Sequence, residues 1–185
     1  MDKYVCLSLN QYFNNIGTTN SSNFLRGELS LGESSLPQEN IPFGTPFIFE
    51  GTPFLLSKNT DLSDNIQMEN QQIRLKDIPR IKKLHFLGVS NNGDLYEEIH
   101  FLKNNKNVYS DFLKLSDFTS SDSFFDDKRA LQFEYMYTRK GINTSYKPSM
   151  WYNYIKFPHP IPIDEIVFED NPFIHIFAIT LERGE

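Results

Sequence analysis

Apolar and polar residues alternate along residues 81–118, where the pattern predicts three successive strands joined by two tight polar turns. Leu84 and Phe86 fall on one face of the first strand, because alternate side chains of a strand point to opposite faces. The turns at 91–94 and 104–107 are rich in asparagine, which tolerates a positive φ. We therefore predict that these three strands form an antiparallel meander.

Short apolar segments recur along the rest of the chain, with turn residues about every 8 to 12 positions. They predict strands at 4–9, 25–31, 47–49, 54–56, 72–75, 131–137, 150–157, 163–168 and 173–181. Residues 131–137 alternate strictly, whereas the prolines of 158–162 are expected to exclude a central strand. No segment has a helical period. The pattern predicts an all-β fold, an antiparallel β-sandwich of the jelly-roll type, formed by a single domain over residues 1–185.

The composition agrees with strands, since the chain has 17 Phe and 9 Tyr. Its net charge of -6, without a basic stripe, argues against a nucleic-acid partner. Cys6, the single cysteine, lies among apolar residues and is predicted to be a buried hydrophobe. The N-terminus lacks a secretory-signal pattern, and no segment is apolar for long enough to span a membrane. We therefore expect a cytoplasmic protein with no membrane partner, and homodimer formation stays open.

Several short motifs occur in an order and spacing that resemble a known module. They include Phe13-Asn14-Asn15, Gly51-Thr52-Pro53-Phe54, Asp64-Asn65, Ser116-Asp117-Phe118 and the run 174–181. Together they resemble a carbohydrate-binding-module-like β-sandwich of the kind appended to bacterial glycoside hydrolases. The resemblance implies a jelly-roll fold that binds a glycan without catalysis. Such sandwiches also resemble small cyclases and tailoring enzymes of bacterial natural-product pathways, so a small intracellular acid–base enzyme is the alternative.

Aromatic residues near 150 are the candidates for binding a glycan or another small molecule. A sugar ring offers an apolar face that stacks on an aromatic side chain and a polar rim that forms hydrogen bonds. On a strand, Trp151 and Asn153 share one face, and Trp151 is expected to be exposed. The alternative is that these rings fill the core of the sandwich. The predicted ligand-binding residues are Trp151, Tyr152, Asn153, Tyr154, Tyr135 and Tyr137.

Carboxylates that folding could place in a pocket are the candidates for acid–base chemistry. Glu134 lies in the middle of the predicted strand 131–137, where it would either face a groove or point to solvent. Asp126 and Asp127 belong to the polar loop 119–130, which also carries two aromatic residues that we expect to be exposed. The predicted catalytic residues are therefore Glu134, Asp126 and Asp127, with solvated positions as the alternative.

No cofactor is required by any motif, since the chain has no phosphate-binding glycine loop and no dinucleotide fingerprint. Asp61, Asp64 and Asn65 are rich in oxygen and closely spaced, as ligands of a structural calcium would be. The 4 histidines do not show the close spacing of a zinc site. Calcium is thus the metal that we predict, and a cluster of His85, His100 and His175 brought together by folding stays open as an alternative metal site.

Overall fold

A computed structural model of the chain describes residues 2–76 and 80–184. These residues form sixteen strands and three short 3₁₀ helices, at Asn10–Tyr12, Phe24–Arg26 and Gln38–Asn40. The strands are β1 (Tyr4–Cys6), β2 (Thr18–Thr19), β3 (Leu36–Pro37), β4 (Pro46–Phe49), β5 (Thr52–Leu55), β6 (Ile66–Glu69), β7 (Gln72–Arg74), β8 (Ile81–Ser90), β9 (Leu95–Lys103), β10 (Lys106–Leu115), β11 (Lys128–Gln132), β12 (Met136–Thr138), β13 (Gly141–Asn143), β14 (Ser149–Ile161), β15 (Glu165–Phe168) and β16 (Asp170–Arg183). Among the described residues, no helix is long and apolar enough to cross a membrane.

Two antiparallel sheets carry most of the fold. The larger sheet has the order β1-β16-β8-β14-β11, with β6 also paired to β16, and the smaller has the order β10-β9-β15-β7. A continuous apolar core lies between the sheets, because alternate residues of both face inwards. Among its buried members are Phe86, Phe101, Trp151, Phe157 and Ile179. The predicted antiparallel β-sandwich is confirmed.

Strands that follow one another along the chain mostly belong to different sheets. Strands β6, β8, β14 and β16 belong to the larger sheet, whereas β7, β9, β10 and β15 belong to the smaller one. Strands β1 and β11 are further members of the larger sheet, and the other eight strands alternate between the sheets in a way that is typical of jelly rolls. The alternation supports the jelly-roll type, which stays a prediction.

The predicted meander over residues 81–118 is wrong in one of its two connections. Strands β9 and β10 form a hairpin, and Asn104 and Asn105 adopt positive φ values of 52° and 60° in its turn. Strand β8, however, pairs with β14 and β16, so residues 91–94 cross from one sheet to the other. Alternation along the chain identifies a strand, but it carries no information about which strand lies beside it.

The predicted strand 25–31 is wrong, since residues 24–26 form a 3₁₀ helix and the next strand begins at Leu36.

Two further strand predictions differ from the structure. The predicted strand 131–137 is interrupted, because β11 ends at Gln132 and β12 belongs to a separate pair with β13. Strand β14 continues through the proline-rich segment to Ile161. Its pairing with β8 is irregular between Lys156 and Ile161, so the prolines occupy positions without a regular partner. A proline is tolerated there because the strand needs no N–H donor at such a position.

The larger sheet is covered on its other face as well. A second apolar core joins residues of β8, β14 and β16 to the β4–β5 hairpin, the N-terminal loops and β12. Its buried members include Phe54, Leu87, Phe133, Tyr152 and Phe177. The central strands of the larger sheet are therefore buried on both faces, which leaves the margins of the sandwich as places for a binding site.

Candidate functional site

A groove of about 440 Å³ lies at one margin of the sandwich, where β10, the loop 116–127 and β14 meet. It brings three of the predicted site residues together, namely Asp126, Asn153 and Tyr154. The residues that line it are Asp111, Phe112, Lys114, Phe124, Phe125, Asp126, Asn153 and Tyr154.

The groove exists because β11 is shorter than its neighbour β14. Strand β11 begins at Lys128, which lies opposite Tyr152, so the pairing with β14 does not extend to Asn153 and Tyr154. The side-chain amide of Asn153 instead donates a hydrogen bond to the backbone carbonyl of Lys114 at 2.6 Å. This bond joins β14 to β10 across the two sheets and forms the floor of the groove.

The loop 116–127 forms one wall and is held in place by a buried carboxylate. Asp127 accepts hydrogen bonds from the backbone N–H and the hydroxyl of Ser116, at 2.7 and 2.8 Å. The same hydroxyl accepts a hydrogen bond from the backbone N–H of Phe124 at 2.8 Å. The rings of Phe124 and Phe125 pack edge to face, with their centroids 5.1 Å apart. The bonds of Ser116 thus fix the backbone that carries both rings.

Aromatic rings reach solvent along the groove. Phe112 is 47% exposed, Tyr154 is 46% exposed and Phe124 is 72% exposed. Tyr96 packs edge to face against Phe112, with the centroids 5.5 Å apart. Large apolar side chains that stay exposed in one place indicate a binding surface more often than single exposed ones do.

Charged groups lie between these rings. Asp111 is held by its neighbours, since it accepts hydrogen bonds from the backbone N–H of Phe112 at 2.8 Å and from the hydroxyl of Tyr109 at 3.3 Å. The carboxylate of Asp126 and the ammonium of Lys114 form no hydrogen bond or ion pair within residues 2–76 and 80–184. The groove therefore offers charged groups that remain available to a ligand.

The expectation that Trp151 is exposed is wrong. Its side chain is 1% exposed and belongs to the core between the two sheets. The indole N–H donates a hydrogen bond to the backbone carbonyl of Asp117 at 3.1 Å, and the guanidinium of Arg129 lies 5.3 Å from the ring centroid. The smaller sheet covers strand β14 at this point. Trp151 therefore contacts the loop 116–127 from the interior of the sandwich and does not line the groove.

Tyr152 also lies in an interior, on the opposite face of β14 from Trp151, as the alternation predicts. Its hydroxyl is 2.9 Å from Nδ1 of His85, whose Nε2 is 3.4 Å from a carboxylate oxygen of Glu182. Burial raises the pKa of Tyr152 to about 12, and burial lowers the pKa of His85 to about 4. This buried polar cluster joins β8, β14 and β16 and lies outside the groove.

Tyr135 and Tyr137 are not brought together with residues 151–154 in the groove. Their rings contact each other edge to face, and the buried Tyr137 donates a hydrogen bond to Glu39 at 3.2 Å. Glu134 is exposed and forms an ion pair with Lys147 at 2.6 Å. These three residues line neither this groove nor a second cavity described below, because the strand predicted to carry them is interrupted.

Asp127, the third predicted acid, is buried, and burial raises the pKa of its carboxyl group. Both of its oxygens accept hydrogen bonds from Ser116. Asp127 therefore holds the wall of the groove, whereas its neighbour Asp126 lines the groove itself.

The predicted calcium ligands have other partners. Asp64 is fully buried and accepts hydrogen bonds from the backbone N–H groups of Gly17 and Thr18, at 2.9 and 3.0 Å. Asp61 is exposed, and the amide oxygen of Asn65 is 2.9 Å from Nδ1 of His175. Among the described residues, no group of three or more histidine, cysteine, aspartate or glutamate side chains is placed to hold a metal. The calcium site stays a prediction.

A second cavity of about 350 Å³ contains none of the predicted site residues. It lies beside the crossing turn, where Asn91 and Asn92 meet the turn 30–34 and the exposed Tyr146. Sequence reasoning missed this cavity and also missed Asp111, Phe112 and Lys114, since nothing in β10 itself indicates that it lies beside β14.

The groove lies within a region of the chain that matches a known family. A model of the AziU2-like beta-sandwich domain matches residues 3–185. The match agrees with the observed fold, but it does not confirm the resemblance to a carbohydrate-binding module. No curated protein matches the chain significantly.

Proposed function

The chain belongs to the AziU2-like β-sandwich domain family, which is associated with natural-product biosynthesis, and we propose that it binds a small organic molecule of such a pathway in the groove. The observation that carries the proposal is the exposure of Phe112, Phe124 and Tyr154 around one cavity. Exposed rings gathered in this way lose unfavourable contact with water when a flat apolar surface covers them.

Hydrogen bonds within the protein hold the loop and the strands that line the groove. Asp127 and Ser116 fix the loop that carries Phe124, and Asn153 joins β14 to β10. Preorganisation supports the proposal because a site that is already ordered loses less conformational entropy on binding.

A glycan is the second candidate for the ligand. A sugar would place its apolar face on the ring of Tyr154, and its hydroxyl groups would donate hydrogen bonds to Asp126 or Asp111. This combination of an exposed ring and nearby acceptors is the feature that favours it. An aromatic or polycyclic molecule makes fuller use of the several rings in the groove, and for that reason it is the first candidate.

Acid–base catalysis is not part of the proposal. Glu134 is paired with Lys147 at the surface, and both oxygens of Asp127 are bonded to Ser116. Asp126 is the predicted acid that lines the groove, and its position supports a role in binding as readily as one in catalysis.

The proposal is tested by measuring binding of a panel of aromatic small molecules and glycans by calorimetry and by NMR. Tyr154→Ala and Phe112→Ala should each weaken binding by about threefold to tenfold, the size expected for loss of one stacking partner. Tyr146→Ala is the matched control, since Tyr146 is 48% exposed but lines the second cavity. Weaker binding in Tyr146→Ala alone would place the ligand in the second cavity and would contradict the proposal.

A further inference from the structure

We propose that the ligand of the groove carries a protonated amine, which is held by the carboxylates of Asp126 and Asp111 and by the faces of the surrounding rings. This inference rests on the proposed function, because it names the chemical class of the molecule that occupies the groove. Its basis is the charge and the aromatic lining of the groove.

The charges that line the groove favour a cation. Asp111 and Asp126 contribute two carboxylates, whereas Lys114 contributes one ammonium group. The carboxylate of Asp126 has no hydrogen-bond or ion-pair partner among the described residues, so its charge is not already neutralised inside the protein. A chain with a net charge of -6 adds a weak attraction for a cation at longer range.

The position of Asp111 is fixed. One of its oxygens accepts a hydrogen bond from the N–H of Phe112, and the other accepts one from the hydroxyl of Tyr109. Each oxygen of a carboxylate can accept two hydrogen bonds, so both oxygens retain the capacity to bind an ammonium group. An amine would therefore meet one acceptor that is already oriented and a second, Asp126, that is free to adjust.

The rings strengthen the preference for a positive charge. The face of an aromatic ring is electron-rich and attracts an ammonium group that lies within about 6 Å of its centroid. One face of Tyr154 already has such a partner, since Nζ of Lys83 lies 4.2 Å from its centroid, so a ligand amine would have to use other ring faces. Phe112 and Phe124 offer further faces, so an amine attached to an apolar ring system would use both the carboxylates and the aromatic lining.

Lys114 limits how much positive charge the groove accepts. Its backbone carbonyl accepts a hydrogen bond from the side-chain amide of Asn153. Its side chain lines the same cavity as the two carboxylates. Among the residues that line the groove, the carboxylates exceed the ammonium groups by one, and a ligand with one ammonium group balances this excess. A neutral ligand of the same shape leaves that excess uncompensated.

The experiment compares two probes of the same shape, 2-naphthalenemethylamine and the neutral 2-naphthalenemethanol, by NMR titration of the full chain at low and high salt. The amine should bind about fivefold to tenfold more tightly than the alcohol, and salt should reduce this ratio. In Asp126→Asn, and further in the double variant Asp111→Asn/Asp126→Asn, the ratio should fall towards the smaller preference that the aromatic rings alone provide. Asp122→Asn, an exposed carboxylate of the same loop outside the groove, is the control that should keep the full ratio.

Two different results overturn two different statements. The amine inference is overturned if the wild type binds the amine and the alcohol equally. It is also overturned if the ratio of the two affinities is as large in the double variant as in the wild type. Either result leaves an aromatic groove. If neither probe perturbs Phe112, Phe124 or Tyr154, the proposed small-molecule groove fails and the amine inference fails with it. The melting temperature of each variant confirms that it is folded.

Discussion

Asp127 and Ser116 stand eleven positions apart and are joined by two hydrogen bonds, in which the carboxylate accepts from the backbone N–H and the hydroxyl of the serine at 2.7 and 2.8 Å. The pair closes the loop that carries Phe124 and Phe125 into the groove. A buried carboxylate thus acts on the proposed ligand-binding surface through the backbone, without lining the groove.

Replacement of Asp127 should affect both stability and binding. Asp127→Ala leaves the N–H and the hydroxyl of the buried Ser116 without an acceptor, which costs about 1–3 kcal/mol of unfolding free energy. The freed loop should also weaken ligand binding, since Phe124 is no longer held. Urea unfolding and binding titration measure the two effects, and Asp122→Ala at an exposed position of the loop serves as control. Stability equal to that of the wild type would show that the two hydrogen bonds do not brace the loop.

Trp151 should behave as a buried core residue in fluorescence. It is the single tryptophan of the chain, so the emission spectrum reports this position alone. Its emission should be blue-shifted in the native state, resist quenching by acrylamide and move to longer wavelength on unfolding. Trp151→Ala should destabilise the fold by about 3–5 kcal/mol because it leaves a cavity between the sheets. Efficient quenching of the native protein would contradict burial.

Stability should fall as the pH is lowered below about 6.5, the ordinary pKa of histidine. Burial lowers the pKa of His85 to about 4 and that of His175 to about 3. Between 6.5 and these values the unfolded chain binds protons that the folded chain does not, so each histidine reduces stability by about 1.4 kcal/mol per pH unit.

The variant His175→Gln isolates one part of this pH dependence. Glutamine does not titrate, so the contribution of His175 to the pH dependence is removed. The slope of unfolding free energy against pH between 6 and 4.5 should therefore decrease by about 1.4 kcal/mol per pH unit. His159→Gln, at an exposed position, is the control for replacement of a histidine by glutamine. Burial raises the pKa of Asp64 and Asp127 and acts in the opposite direction, but this contribution is common to both variants and cancels in the comparison. Parallel curves for the wild type and His175→Gln would refute the assignment.

Replacement of only one partner of the ion pair between Lys58 and Asp64 should strongly reduce the free energy of unfolding. The ammonium group lies 3.4 Å from the fully buried carboxylate. Lys58→Met leaves that carboxylate without its counter-ion and should cost about 3–5 kcal/mol, whereas Lys58→Met/Asp64→Asn should cost less than the sum of the single variants. Chemical denaturation of the four proteins completes the cycle. The control is Lys128→Met, which breaks an exposed pair with Glu50 and should cost at most about 1 kcal/mol.

Calcium should not stabilise the folded chain through Asp61, Asp64 and Asn65. The carboxylate of Asp64 already accepts hydrogen bonds from Gly17 and Thr18 and faces Lys58, and calcium would have to displace these partners. We expect the same melting temperature in millimolar calcium chloride and in excess chelator. A higher melting temperature in calcium that disappears in Asp61→Asn would confirm the predicted calcium site.

Local features that depend on near neighbours could be read from the amino-acid sequence. Alternation located β8, β9, β10 and most of β14, because the period of a strand is a property of the strand itself. The conformation of the tight turns also depends on the residues within each turn. Asn104 and Asn105 adopt the positive φ values expected of that turn, and Glu50 and Gly51, at 50° and 73°, form the two-residue turn between β4 and β5.

The candidate site could be predicted only in part. Asp126, Asn153 and Tyr154 were identified because their types suit ligand binding, and the paired phenylalanines at 124 and 125 stand out in a polar loop. The sequence left open whether Trp151 and Tyr152 bind a ligand or fill the core, and the structure places both in the interior. An aromatic strand looks the same whether a binding partner or a second layer of the protein covers it.

Only the tertiary structure decided which strands are neighbours and which surfaces remain open. The four residues 91–94 could have closed a hairpin, but they cross between the sheets instead, since β8 gains two partners, β14 and β16, in the larger sheet. The groove is a consequence of that arrangement, because it forms where β11 stops short and β10 of the other sheet approaches Asn153. Strand period and turn type are set by near neighbours in the chain, whereas cover, exposure and cavities are set by contacts between residues far apart in it.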